Sequence, residues 1–364
     1  MERPLVGVSM MAEADFVSAV LPLLQDNAID VLEWSFDTFF ETEEPDWLCD
    51  LLNFYAGNDR LIGHGVYYSL FEAKWTDRQE IWLEKLKKEV CKRKYNHITE
   101  HFGFMNTENY HQGIPLPVPL HPKILEIGKD RLNRLQDAVQ LPVGVENLAF
   151  SFSVEEVKEQ GIFLDKLIEE MEGFLILDLH NIYCQACNFG VEMQEIIGSY
   201  PLHKVKEIHL SGGSWQNSVY RKKPVRRDTH DDAIPEELFA VLPSVLSQCS
   251  NLDYVIVERL GHTINTEDLK QNFLDDFIKV KTIVEKSGCQ KQNTKDWFPK
   301  KNILAKPVED AVLYEEQVRL TKLLFNHTDP IIIQHEDFHY FNTGNWDHEM
   351  ILTAQNIIKK WNPY

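Results

Sequence analysis

Six successive apolar runs in this sequence end abruptly in histidine, aspartate, glutamate or asparagine. They are Leu61-Ile62-Gly63-His64, His97-Ile98-Thr99-Glu100-His101, Val143-Gly144-Val145-Glu146-Asn147, Leu175-Ile176-Leu177-Asp178-Leu179-His180-Asn181, Val205-Lys206-Glu207-Ile208-His209 and Val255-Ile256-Val257-Glu258. Asp228-Thr229-His230 lies in the stretch between the last two. Imidazole and carboxylate donors without cysteine favour zinc, iron or manganese over calcium or magnesium. The candidate metal ligands are His64, His101, Glu146, Asp178, Asn181, His209, Asp228, His230 and Glu258. They supply about three donors per ion for up to three ions. Glu146 and Glu258 can bridge, and Glu146, His209 and Glu258 are the candidate catalytic residues.

Each of these residues alone has an ordinary reading. A single histidine at a strand end is more often a hydrogen-bonded core residue, and a carboxylate there serves as a helix cap or an ion-pair partner. Six consecutive strands each closing on a donor is a different matter, and it marks a multi-metal site. His180, beside Asn181, is either a neighbour of the site or an additional ligand. His335, Glu336, Asp337, His339, Asp347 and His348 form a second polar cluster. It lacks strand-end placement and reads as a surface turn. Cys184-Gln185-Ala186-Cys187 is a lone C-x-x-C, a weak signal without a second pair. The sequence carries no G-x-S-x-G elbow, P-loop or dinucleotide fingerprint.

The elements that must position such a ring follow from hydrophobic periodicity. Eight strand candidates run Leu5–Ser9, Val31–Trp34, Leu61–His64, His97–His101, Val143–Glu146, Leu175–Asp178, Val205–Leu210 and Tyr254–Glu258. Helical stretches lie between them: Asp15 to Leu24, Gln79 to Lys92, Val154 to Met171 and Pro235 to Leu246. Ser153 is the expected N-cap of the third, with Glu156 completing a capping box. Strand and helix alternating eight times predict an α/β fold of the (β/α)8 TIM-barrel type, in which the carboxyl ends of parallel strands converge on one mouth.

Residues 1–287 are expected to form the barrel, closed by a helix over Asp268 to Lys286. Gly288 to Asp296 reads as a linker. Residues 288–364 are then a mainly helical extension packed on the barrel, with helices over Val308 to Phe325 and His348 to Lys360. Two long loops, Phe102 to His121 and Ser211 to Asp232, follow strand ends and should overlie the mouth. The second carries Arg221-Lys222-Lys223 and Arg226-Arg227, a basic cluster suited to neutralising the acidic surround or gripping a carboxylate, or simply to solvation.

With 43% hydrophobic residues among 364, the chain can bury a large core. Its formal charge of −20 repels phosphate backbones and argues against a nucleic-acid partner. Six scattered cysteines suit a reducing compartment. The sequence shows no basic start with a long apolar core, and no apolar run approaching the roughly 20 residues of a membrane span. A cytoplasmic protein without a membrane partner is expected.

The order of ring residues resembles that of endonuclease IV, a trinuclear zinc barrel, with Asn181 where that family has histidine. The local wording is closer to the multinuclear non-haem iron family that includes the methanobactin-forming oxidase. The matching pieces are His64-Gly65-Val66, Thr99-Glu100-His101-Phe102, Glu146-Asn147, Leu177-Asp178-Leu179-His180-Asn181-Ile182-Tyr183, Glu207-Ile208-His209-Leu210, Asp228-Thr229-His230 and Glu258, spread over about residues 5 to 285. Ser211-Gly212-Gly213, the long loop to Asp228 and the carboxyl-terminal extension depart from that pattern. The resemblance implies two or three iron ions with O2 as co-substrate. It also implies oxidation of cysteine in a ribosomally made precursor peptide, presented by a small leader-binding partner protein. His64, His101 and Glu146 would then hold one iron, Glu146, Asp178, His209 and Glu258 a second, and Asn181, Asp228 and His230 a third. The competing reading is a zinc- or manganese-dependent hydrolase or isomerase of the endonuclease IV-like barrel type.

Overall fold

Short apolar strands such as Val143–Glu146 cannot bury both faces alone, and a closed sheet wrapped in helices is the arrangement that does so. The computed structural model describes residues 3–105, 107, 115–288 and 306–361. In chain order the first half comprises β1 (Leu5–Met10), α1 (Ala14–Gln25), β2 (Val31–Trp34), α2 (Asp46–Gly57), β3 (Leu61–His64), α3 (Asp77–Lys92), β4 (Ile98–His101) and α4 (Pro122–Val139). There follow β5 (Val143–Glu146), α5 (Val154–Glu169), β6 (Phe174–Asp178), α6 (Leu179–Phe189), α7 (Met193–Gly198) and β7 (Val205–Leu210). A hairpin of β8 (Trp215–Gln216) and β9 (Val225–Arg226) precedes α8 (Glu236–Gln248), β10 (Tyr254–Val257) and α9 (Glu267–Lys286). The extension supplies α10 (Ala311–Phe325), α11 (Pro330–Gln334) and α12 (His348–Trp361).

Strands β1 to β7 and β10 pair in parallel around a closed barrel, β10 returning to β1. All eight expected strands are present, with ends displaced by a residue or so. The hairpin β8–β9 lies outside the barrel, in the loop after β7, and pairs Trp215 with Arg226.

Alternate side chains of each strand point inward. Toward the amino ends of the strands Val31, Ile62, Tyr254 and Ile256 form an apolar plug with Leu5. Phe174 contributes its ring, and a Cβ at Gly144 would lie 2.3 Å from it. Glycine at that position on β5 therefore leaves the ring its space. The outer helices bury their apolar faces in one large cluster that includes Phe16, Leu52, Leu86, Leu132, Leu164 and Phe277. Ser153 caps α5 as expected, its Oγ accepting from Glu156 N, while Glu156 Oε2 accepts from Phe152 N at 2.7 Å.

The extension is tied to loops at the carboxyl ends of the strands. Gln317 accepts from Ala73 N at 3.0 Å and donates to Phe71 O at 2.7 Å, in the loop after β3. Trp346 stacks on Phe152, after β5, with centroids 3.8 Å apart and planes at 11°. Glu349 Oε2 accepts from Val219 N and Tyr220 N in the loop after β7. Leu313, Leu320, Ile333, Trp346 and Met350 belong to the same apolar cluster as the barrel's helices. The segment Pro330–Gln334 is a short helix. The expected linker, from residue 289 on, and Gly113 of the loop after β4 lie outside the described residues.

Candidate metal centre

Strands β3, β4 and β5 bring His64, His101 and Glu146 together. Thr99 Oγ1 donates to Gly63 O, so it accepts from His64 Nδ1–H, at 2.8 Å. His101 Nδ1–H donates to the Gly65 carbonyl at 3.1 Å. With both Nδ1 protons assigned by these partners, both Nε2 atoms turn inward. They lie 3.3 Å apart, and Glu146 Oε2 is 3.3 Å from one and 3.2 Å from the other. Three donor atoms thus crowd one small volume.

The second group shares Glu146. His209 Nδ1 is 3.4 Å from Glu146 Oε1 and 3.4 Å from Glu258 Oε2. Donor atoms of Glu146, Asp178, His209 and Glu258 all lie within 4.8 Å of one another. Asp178 closes β6 and caps α6, its Oδ1 accepting from Asn181 N at 2.6 Å. Asn147 Oδ1 accepts from Asp178 N, and Asn147 Nδ2 donates to Asp178 O, tying the ends of β5 and β6 together.

The remaining expected residues stand at the rim. Asp228 Oδ1 lies 3.0 Å from His230 Nε2, and His230 Nε2 is 3.9 Å from Glu258 Oε2. Asn181 Nδ2 donates to Asn147 O at 2.8 Å. His180 is engaged on both nitrogens. Its Nδ1 meets Asp228 Oδ1 at 2.8 Å, and its Nε2 receives the Arg226 guanidinium at 3.2–3.3 Å. Neither ring nitrogen is left for a metal, so His180 supports the site as a neighbour.

A tier of titratable groups that the strand-end pattern did not single out backs His209. His209 Nε2 lies 3.0 Å from Glu207 Oε1 and 3.1 Å from Glu33 Oε2, and Glu207 Oε2 is 2.8 Å from His97 Nε2. All four residues are fully buried. Glu207 stands two residues before His209 and Glu33 lies within the second strand, so inward alternation along β7 and β2 was the available signal. The basic cluster divides between structure and solvent. Arg226 lies between Tyr183 and Trp215, Arg227 donates to Gln216, and Arg221 pairs with Asp347, whereas Lys222 and Lys223 are exposed. The three arginines are spent on the protein itself. Asp347, expected on a surface turn, anchors α12 and the loop after β7.

Charge and orphaned atoms fit a cation here. His209 Nδ1, Asp178 Oδ2, Asn181 Oδ1 and Glu258 Oε2 are buried without a hydrogen-bond partner. Buried polar atoms are normally satisfied, and these have the donor chemistry of ligands. Burial opposes charge on His64, yet Glu33 and Glu146 lift its ring to about 9. Burial and the charged His64 push His101 down to about 4. Burial, with Glu146, Asp228 and Glu258 close by, raises Asp178 well above the usual carboxylate range. Glu146, Asp178, Asp228 and Glu258 carry a formal −4 when ionised, a charge that two divalent ions would balance.

Comparison with known proteins bears on the fold and the family. The barrel resembles a xylose isomerase-like TIM barrel/4-hydroxyphenylpyruvate dioxygenase fusion protein, at a TM-score of 0.52 and 11% identity over 79% of this chain and 44% of that one. It also resembles a xylose isomerase domain containing protein from Salmonella typhimurium, at a TM-score of 0.50 and 11% identity over 78% of this chain and 99% of the other. These likenesses speak for the fold. The chain is 27% identical to a UPF0276 protein of Acaryochloris marina over 41% of its own length and 54% of the relative's. It is 27% identical to one from Chromobacterium violaceum over 50% of this chain and 64% of that protein. The matches thus span between half and two thirds of these relatives. Residues 9–277 match the model for the RiPP precursor modification enzyme MbnB/TglH/ChrH, and the chain belongs to that family of enzymes acting on ribosomally made, post-translationally modified peptides.

Proposed function

We propose that this chain uses iron and O2 to oxidise cysteine in a ribosomally made precursor peptide, presented by a small leader-binding protein. The observation carrying this reading is the facing pair of imidazole nitrogens on the shared Glu146 carboxylate, continuous with the Asp178, His209 and Glu258 donors. His64, His101 and Glu146 would hold one iron, and Glu146, Asp178, His209 and Glu258 a second. Asp228, His230 and Asn181 are the candidates for a third. Bound there, iron would supply an open position for a soft thiolate and electrons for reducing O2.

The protein's own residues do the rest. Glu146, with one oxygen facing each group, sets their separation. Glu207 and Glu33 fix the His209 ring so that Nδ1 faces the site, and a carboxylate behind a ligand imidazole also raises its basicity. Thr99 and Gly65 do the same for His64 and His101. The apolar plug fills the barrel toward the amino ends of its strands, so peptide and O2 would meet the centre from the rim.

The test is metal analysis of protein purified without oxygen, followed by addition of a cysteine peptide. Iron retained at two or more per chain, with a thiolate charge-transfer band on adding peptide, supports the proposal. Zinc or manganese alone, with phosphodiesterase or isomerase activity, would replace it with hydrolysis or isomerisation on the same barrel.

A further inference from the structure

The Arg226 side chain is 4% exposed and is flanked by the rings of Tyr183 and Trp215, at 5.4 and 5.2 Å from the guanidinium carbon. A guanidinium has only donors, so His180 Nε2, 3.2–3.3 Å away, accepts and bears no proton. The His180 proton must then sit on Nδ1, which donates to Asp228 Oδ1 at 2.8 Å. The order Arg226, His180, Asp228 is thereby fixed in one direction. It starts in the β8–β9 hairpin, crosses the first turn of α6 and ends on a carboxylate at the rim. The fit is close: a Cβ on Gly213 would lie 2.9 Å from His180 Cε1 and 2.1 Å from Arg227 O.

We infer that Arg226 and His180 are positioning residues that aim Asp228 at a metal ion and so control how firmly the rim ion is held. The inference rests on the metal-centre reading above. A carboxylate held by a neutral N–H keeps one fixed rotamer, which a solvent-facing aspartate on a long loop would not. Because Arg226 lies on β9, paired with Trp215 of β8, the retention of that ion is tied to the order of the hairpin.

The experiment uses the full-length, iron-loaded protein without oxygen and follows iron release to a chelator, alongside the Mössbauer spectrum. Loss of a supporting partner typically costs a ligand about ten- to a hundredfold in metal affinity. His180→Leu and Arg226→Met should each release one iron per chain about ten- to a hundredfold faster than wild type. The other irons should keep their rates, and one Mössbauer component should change. Asp228→Ala should behave likewise, and His180→Gln, whose amide can still donate to Asp228, should hold the ion better than His180→Leu. Should His180→Leu fail to fold, Arg226→Met carries the test with His180 in place. Wild-type release from the His180 and Arg226 variants, with Asp228→Ala losing its ion, would overturn the positioning role. Wild-type release from Asp228→Ala as well would overturn Asp228 as a ligand, and the inference with it.

Discussion

His64 Nε2 and His101 Nε2 face each other across 3.3 Å, and the same oxygen of Glu146 lies within 3.3 Å of both. With the Nδ1 atoms bonded to Thr99 and Gly65, two lone pairs and a carboxylate oxygen point into one volume. Something positive must sit among them, and without a metal a proton on His64 takes that part. Glu146 is the hinge of this arrangement because its other oxygen faces His209.

Glu146→Ala removes a donor from both groups at once. The variant should bind at least about a hundredfold less iron at matched free metal, a loss of roughly 2.7 kcal/mol per site, and lose activity with it. Metal analysis after dialysis, with circular dichroism to verify folding, measures this. Wild-type iron content in the variant would remove Glu146 from the centre.

Glu207 reaches His97 with one oxygen and His209 with the other. Glu207→Gln keeps the volume but weakens the orientation of His209, and iron affinity should fall about ten- to a hundredfold. A competition titration against a chelator reads the change. An unchanged affinity would show that His209 holds its direction without this carboxylate.

A separate cluster predicts a pH effect away from the centre. Burial acts to raise the Glu44 carboxyl, but hydrogen bonds from Arg93 and Lys92 hold it down at about 2. A folded value below the unfolded 4.5 means the contribution is fully present above pH 4.5 and is lost as pH falls through 2. Because the site is partly solvated, about 1–2 kcal/mol is expected rather than the full shift. Urea unfolding of wild type and Glu44→Gln should differ by that amount at pH 6, and the gap should narrow at pH 3. A gap of equal size at both values would contradict it.

The stacked Phe152 and Trp346 rings join the loop after β5 to the extension. Trp346→Ala deletes a buried aromatic and should cost about 3–5 kcal/mol, with faster proteolysis around α12. Denaturant midpoints measure the first effect, and a loss below about 1 kcal/mol would mean the extension is held chiefly by the polar contacts that its Gln317 and Glu349 make to the barrel loops.

The barrel was legible because its strands are short apolar runs stopping on polar residues, a pattern that survives in the bare sequence. His64, His101, Glu146 and Asp178 close their strands, His209 and Glu258 stand at the ends of theirs, and the structure gathers all six. Glu33 and Glu207 escaped notice because they lie inside strands, where inward direction depends on alternation rather than on an ending. The arginines of the loop after β7 looked like a solvent or substrate cluster. Their partners, Asp347 in the extension and His180 on α6, are 126 and 46 residues away in sequence for Arg221 and Arg226, and no local pattern records such pairings.

The most direct measurement is anomalous diffraction at the iron edge from crystals grown without oxygen in the presence of Fe2+. Two or three iron peaks are predicted, one in bonding reach of His64, His101 and Glu146 and another in reach of Glu146, Asp178, His209 and Glu258. Iron found elsewhere, or these side chains turned away from an iron-free interior, would contradict the iron centre and the oxidation proposed for it.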